Sequence, residues 1–218
     1  IALVWLQDYK TPFYIAPRVG KDGKEFNMVK LRSMIISLDK SDPVSTGLND
    51  KRVTSIGHFI RKFKLDELCQ LWNVLVGDMS LVGPRPQVEA EGTEFYTEVE
   101  KKLLSIKPGI TDFSSIVFSD ESVILKDQDD VGVAYNQLIR PWKSRLGLVY
   151  IENQSLALDL QLILWTFLGI LSKENALKWV SKKLMELGAD ENIVIISRRH
   201  KDLYPFPPPG SDQIFSES

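Results

Sequence analysis

The dipeptide Asp22-Gly23 stands between two runs of strand-like residues in the segment FYIAPRVGKDGKEFNMVKLRSM, residues 13–34. Asp-Gly readily adopts the positive φ angles of a tight reversal, so this arrangement predicts an antiparallel β-hairpin. Pro17 has no N–H for a ladder and assigns its strand to an edge. In the returning strand a period of two sends Lys30 and Arg32 to one face. A solvated basic edge that discourages aggregation would explain that pair equally well.

Beyond the hairpin the pattern is mainly helical. Residues 37–50 (SLDKSDPVSTGLND) are polar, with Pro43 and Gly47, and read as a loop. Thr54 or Ser55 is placed to cap a short helix through Lys62, with Ile56, Phe59, Ile60 and Phe63 at helical spacing. A second helix is expected over 65–76, ended by Gly83-Pro84-Arg85-Pro86, and a third over 88–106, ended by Lys107-Pro108-Gly109. Residues 119–130 carry five acids against one lysine and read as an acidic solvated surface. Residues 156–171 (LALDLQLILWTFLGIL) form the most apolar helical segment, and 176–187 an amphipathic one with Leu177, Val180, Leu184 and Leu187 on one face. YPFPPPG then reads as a polyproline stretch leading into a poorly ordered tail.

Composition narrows the functional classes. A chain of 218 residues, 44% hydrophobic and 26% charged, is an ordinary globular one, neither disordered nor a coiled-coil rod. With 27 Lys and Arg against 29 Asp and Glu, nothing global favours nucleic acid, so any anion site must be local. One cysteine and two histidines exclude an internal disulfide and a Cys/His zinc site, and a reducing, cytoplasmic setting fits. No run reaches the ~20 nearly uncharged residues of a spanning helix. The first residues, IALVWL, are apolar without a preceding cap, and read either as the tail of a longer apolar segment or as a short buried strand.

The informative block is RVTSIGHFIRKFKLDELCQLWNVLVGDMSLVGPRP, residues 52–86. On a helix over 65–76, Leu68, Leu71, Trp72 and Leu75 share one arc, the expected core face. Opposite them lie Asp66, Gln70, Asn73 and Gly77, with Glu67 at the border. The first turn of a helix favours ionised carboxylates, so Asp66 is a candidate anionic nucleophile or metal ligand. Two adjacent carboxylates repel unless a cation separates them. Mg2+ suits oxygen ligands, with Asp66, Glu67 and Asp78 as the candidate set. First-turn acids are also routine capping chemistry, worth about 1 kcal/mol or less. Arg85, between two prolines, is held on a stiff segment and would lose little entropy on engaging a phosphate. If Lys30, Arg32, Arg52, Arg61 and Arg85 converge on the carboxylates, the result is a phosphoryl-transfer site; arginines merely paired with surface acids are the alternative.

At this block the chain resembles the bacterial sugar transferase family, the monotopic polyprenyl-phosphate phosphoglycosyl transferases. RVGKDGKEFNMVKLRSM is similar to the family's hairpin and basic motif, residues 52–86 to its catalytic motif, KPGIT (107–111) to the next, and YIENQSLALDLQLILWT (150–166) to its C-terminal helix motif. The resemblance implies transfer of sugar 1-phosphate from a UDP-sugar to polyprenyl (undecaprenyl) phosphate, with release of UMP. It implies Asp66 as the nucleophile of a covalent phosphosugar intermediate, Glu67 as its acidic partner, and Arg61, Arg85 and Lys30 as basic residues of the site. Gln70, Asn73, Arg32 and Arg52 complete the candidate substrate-binding set, with Mg2+ as cofactor. Because the lipid acceptor cannot leave the bilayer, helices 156–171 or 176–187 are expected to lie in the membrane interface.

The expected architecture is thus α+β, mainly helical, with an N-terminal β-hairpin and amphipathic interfacial helices. Residues 1–11 would be a remnant of a re-entrant membrane helix, 12–190 the catalytic domain and 191–218 an extension with a Pro-rich tail. The implied location is the cytoplasmic face of the bacterial inner membrane, with no nucleic-acid partner and homo-oligomerisation open. Departures from the family pattern are Cys69, where proline is common, Asp112-Phe113-Ser114-Ser115 after KPGIT, and Gly147 in place of aspartate. A catalytically silent scaffold and a Mg2+-dependent phosphodiester hydrolase are the alternatives from other classes.

Overall fold

The computed structural model describes residues 1–35, 52–87, 93 and 95–216. The fold is α+β and mainly helical. The hairpin forms as expected: β1 (Phe13–Val19) pairs antiparallel with β2 (Glu25–Leu31), Phe13 opposite Leu31 and Val19 opposite Glu25. Asp22 (φ 58°) and Gly23 (φ 73°) make the reversal through positive-φ conformations. The 37–50 loop reading lies outside the described residues.

A short helix, α1 (Ala2–Leu6), precedes the hairpin, and α2 (Ser55–Lys62) follows it. Thr54 caps α2 by accepting a hydrogen bond from the Gly57 N–H at 2.9 Å. Gly57 sits where a Cβ would lie 1.9 Å from the Ser33 carbonyl oxygen, so its missing side chain lets α2 close onto the chain leaving the hairpin.

The helix expected over 65–76 is two elements. Leu65–Gln70 is a 3-10 helix entered through Lys64 in the left-handed region (φ 53°), and α3 (Leu71–Val76) continues it to a left-handed Gly77. Three residues per turn align Glu67 with Gln70 in the 3-10 segment, and Asn73, one turn into α3, continues that side. That side faces inward, with Gln70 and Asn73 buried. The expected core face is therefore inverted: Leu68, Leu71, Trp72 and Leu75 are 52%, 48%, 59% and 78% exposed.

Two three-residue strands, β3 (Ser80–Val82) and β4 (Gly109–Thr111), pair in parallel. The expected 88–106 helix is only partly within the described residues, where Glu100–Ser105 is a 3-10 helix. The main core lies beyond, among α4 (Phe113–Val117), α7 (Arg140–Glu152), α8 (Leu156–Leu171), α9 (Lys173–Glu186) and α10 (Glu191–Ser197), with α5 (Glu121–Ile124) and α6 (Val131–Ala134) between. Trp142, Phe113, Leu146, Leu162, Val180 and Leu184 are among its fully buried side chains. At its edge Glu100, wholly buried, accepts hydrogen bonds from Arg140 (3.3 Å) and Ser144 (2.6 Å), the pairing a buried carboxylate requires.

The two apolar helices differ in destination. Leu177, Val180 and Leu184 of α9 pack into the core, whereas α8 is buried at Leu158 and Leu162 and exposes Leu156, Leu160, Leu164, Phe167 and Leu171. Among the described residues no helix is long and apolar enough to cross a membrane. Two surface expectations change. Asp120 and Glu121 are not merely solvated acids, because Asp120 pairs with Lys173 and Glu121 with Lys143. The polyproline stretch is packed, with Phe206 stacked on Trp142 at 4.4 Å between ring centroids.

Candidate active site

The groups that converge come from three places in the sequence. β2 contributes Lys30, the 3-10 segment Asp66 and Glu67 with Lys64 at its entry, and the loop after β3 Arg85. That loop is clamped on both sides: the Pro84 carbonyl accepts from Gly109 N–H at 2.9 Å, and the Gln87 carbonyl from Val19 N–H at 3.0 Å. Arg85 is thereby presented to Glu67, to which its Nη2 donates at 2.6 Å. Arg61, in the last turn of α2, is oriented by its Nε donating to Ser33 Oγ at 2.8 Å.

Electrostatics separate the two carboxylates. Burial pushes Glu67 up, but the Arg85 charge and hydrogen bond outweigh it, with Lys64 and Lys30 assisting, and hold Glu67 at about 2. Asp66 moves the other way: burial and then the neighbouring Glu67 charge raise it, against Lys30 and Arg61. Burial, and next the Arg85 charge, lower the Lys30 ammonium to about 8. Glu67 is thus a fixed anion, and Asp66 is the more basic of the pair.

These residues border an open cavity of about 1120 Å³, large enough for a nucleotide-sized ligand. Glu67, Lys30, Lys64 and Arg85 line it; Asp66 sits beside it without lining it. The wall carries six cationic side chains (Arg18, Lys30, Lys64, Arg85, Arg140 and Lys143) against two carboxylates, Glu67 and Glu121, with Arg85 paired to Glu67, Lys143 to Glu121 and Arg140 to Glu100 behind the wall, so the lining favours an anionic ligand over a cationic one. A near-neutral chain therefore holds a local basic site.

Arg18, Lys64, Arg140 and Lys143 are not singled out by any sequence motif. Period two along the paired strand could have suggested Arg18, whereas Lys143 arrives by tertiary folding alone. Other expected members stand apart. Arg32 is buried and forms a two-pronged ion pair with Asp8, both contacts at 2.6 Å, which occupies its guanidinium away from the carboxylates. Arg52 lies where its carbonyl accepts from Ile35 N–H, outside the cavity. Gln70 is buried beneath the 3-10 turn.

Asn73 serves the hairpin: its Oδ1 accepts from Val29 N–H at 3.0 Å and its Nδ2 donates to the Asn27 carbonyl at 2.8 Å. Asp78 accepts from the same Nδ2 at 3.2 Å. Among the described residues no group of three or more His, Cys, Asp or Glu side chains is gathered for a metal, so Asp78 does not join Asp66 and Glu67. Asp66 and Glu67 still fit Mg2+, which is commonly held by one or two carboxylates with the other positions left to water and substrate phosphates.

Paired carboxylates of divided basicity thus stand at a cavity whose lining is rich in cationic side chains. Comparison with known proteins gives the family of the chain. The model of the family described as bacterial sugar transferase matches residues 1–173, and this chain belongs to that family. It is 35% identical over 185 residues to a UDP-galactose-lipid carrier transferase of Erwinia amylovora, an alignment covering 78% of this chain and 35% of that protein. It is 47% identical over 97 residues to a putative undecaprenyl-phosphate N-acetylgalactosaminyl 1-phosphate transferase of Bacillus subtilis, covering 44% and 54%. A UDP-glucose:undecaprenyl-phosphate glucose-1-phosphate transferase of Klebsiella pneumoniae is 33% identical over 159 residues, covering 72% and 32%. The chain spans about a third to a half of the length of these relatives.

Proposed function

We propose that this chain transfers sugar 1-phosphate from a UDP-sugar to polyprenyl phosphate through a covalent intermediate on Asp66. The observation that carries the reading is the six-to-two excess of cations around a cavity bordered by Asp66 and Glu67, which suits a pyrophosphate. Names of the related proteins support the donor and acceptor classes.

In the first step an Asp66 carboxylate oxygen attacks the phosphorus that bears the sugar. A P–O bond forms to Asp66, the bridging P–O bond breaks, and UMP leaves with the bonding pair. In the second step a phosphate oxygen of the polyprenyl phosphate attacks the same phosphorus. The acyl–phosphate bond breaks, Asp66 is regenerated, and polyprenyl-diphosphate-sugar departs. Arg85, Lys30 and Lys64 spread positive charge over the transferring group, where it counts most as charge develops. Glu67, held at about 2, is a poor proton carrier near neutrality; its role is to order Arg85 and to supply an oxygen to a cation. Asp66 and Glu67 would hold Mg2+, which neutralises pyrophosphate charge when bound.

The exposed faces of α3 and α8 suit a site fed by a lipid. Large apolar residues such as Leu75, Leu156, Phe167 and Leu171 face outward, a costly display in water and a favourable one at the headgroup boundary. The reading therefore includes a monotopic placement on the cytoplasmic face of the inner membrane.

The test is incubation with a UDP-sugar labelled in the sugar-linked phosphate. Label on the protein with release of UMP, chased onto polyprenyl phosphate, is the expected result. UMP release without any need for lipid would instead indicate a hydrolase, and neither label nor release a silent scaffold.

A further inference from the structure

The family match ends at residue 173, yet the far wall of the cavity is built from residues beyond it. After α10 the chain returns across α7. Phe206 stacks on buried Trp142, its N–H donates to the Gln137 carbonyl at 3.1 Å, and Arg145 donates to the Pro207 carbonyl at 2.8 Å. Pro208 and Pro209 are buried. Gly210 then turns in the left-handed region (φ +83°), where a Cβ would meet Val99 at 2.6 Å, so the reversal requires glycine.

The returning segment places Gln213, Ile214 and Phe215 on the cavity wall. Phe215 is anchored: Gln137 Nε2 donates to its carbonyl at 2.8 Å, and its half-buried ring packs edge-on to Phe95 at 5.3 Å. The Arg140 guanidinium lies 5.9 Å from its centroid. One cavity therefore has a cation-and-carboxylate end made by family-matched residues and an aromatic wall that includes residues outside the match.

We propose that Phe215, held by this strap, is the stacking platform for the nucleobase of the nucleoside diphosphate sugar donor, making residues 211–216 a specificity element of the site. The proposal rests on the donor reading above. A pyrophosphate engaged by Arg85, Lys30 and Lys64 leaves a planar base to be accommodated in the same cavity. An aromatic ring fixed by its own backbone hydrogen bond loses little freedom on stacking with it, and Gln213 offers both a donor and an acceptor to a pyrimidine edge.

Titration calorimetry on the full chain with UDP, UMP and inorganic pyrophosphate tests this. Phe215→Ala and Phe215→Leu are expected to weaken UDP and UMP about tenfold, within the range for loss of one base–aromatic stack, and to leave pyrophosphate binding unchanged. Phe215→Tyr is expected to bind as the wild type. Because Phe215→Leu keeps apolar contact with Phe95, its melting temperature should stay near that of the wild type. Equal losses for pyrophosphate, unchanged UDP affinity, or tighter UDP binding by a strap that merely obstructed the cavity would each overturn the proposal. A wild-type chain that binds neither UDP nor UMP would overturn the donor reading itself, whereas normal UDP binding indifferent to Phe215 removes only the platform.

Discussion

Arg85 Nη2 donates to Glu67 Oε1 at 2.6 Å across 18 positions of sequence, and this bond divides the labour of two adjacent carboxylates. It commits Glu67 to the anionic state, and the Glu67 charge in turn adds to the burial that raises Asp66. One carboxylate is held as a fixed anion while its neighbour becomes the more basic of the two, the division that the proposed role of Asp66 as nucleophile requires.

Removing the guanidinium should therefore hurt chemistry more than folding. Arg85→Ala is expected to lower kcat/KM about 100-fold or more, the scale of losing a preorganised charge donor, with only a few degrees off Tm. Steady-state kinetics beside a melting curve decides it; parallel losses of activity and stability would indicate a purely structural arginine.

Asp66→Asn keeps the size of the side chain and removes the attacking oxyanion. Both turnover and radiolabelling of the protein by the phosphosugar should vanish. A covalent adduct retained in that variant, detected by intact-protein mass spectrometry, would relocate the nucleophile.

Asn73 is a test of structure rather than catalysis. Asn73→Ala strips partners from Val29 N–H and the Asn27 carbonyl, each costing about 1–3 kcal/mol if left unsatisfied and buried. The expected readout is a Tm lower by several degrees with KM for the donor unchanged in the folded fraction; a selective rise in KM would restore a substrate role.

The Asp8–Arg32 pair predicts an acid limb in the stability of the segment before the hairpin. The Arg32 hydrogen bond is the largest influence on Asp8 and lowers its carboxyl below the ordinary carboxylate value. A depressed folded-state value stabilises above the unfolded value and is lost as pH falls through the folded one. Wild type and Arg32→Gln should differ in Tm at pH 6 and converge toward pH 2; a gap independent of pH would mean that packing, not charge, ties the two residues.

Trp72 and Leu75 are 59% and 78% exposed, so replacing both with Gln should leave Tm unchanged. Cosedimentation with anionic vesicles is expected to fall severalfold. Unaltered vesicle binding would show that another face carries the membrane contact.

Local rules were sufficient for much of the fold. Asp22-Gly23 placed the hairpin, Thr54 the start of α2, and residues 156–171 the full length of α8. They were insufficient where a residue's role depends on a distant partner. Arg32 and Lys30 share a strand face by period two, yet Asp8 claims the first while the second borders the carboxylates. Lys143 reaches the same cavity from a helix with no motif to mark it, and the polyproline segment is ordered because Trp142 gives Phe206 a ring to stack on.

Periodicity in 65–76 correctly sorted Gln70 and Asn73 from Leu68, Leu71, Trp72 and Leu75. It assigned the leucines to the core, and the fold turns them outward. A helical pattern records which residues share a face but carries no sign for inside and outside. Here the polar side of the segment is the one that packs against the hairpin, with Gln70 and Asn73 buried. The sorting is a property of 100° or 120° per residue and needs no partner. Its direction is set by tertiary partners: Asn73 turns inward to accept from Val29 N–H and donate to the Asn27 carbonyl on β2, backbone groups that are costly to leave unpaired.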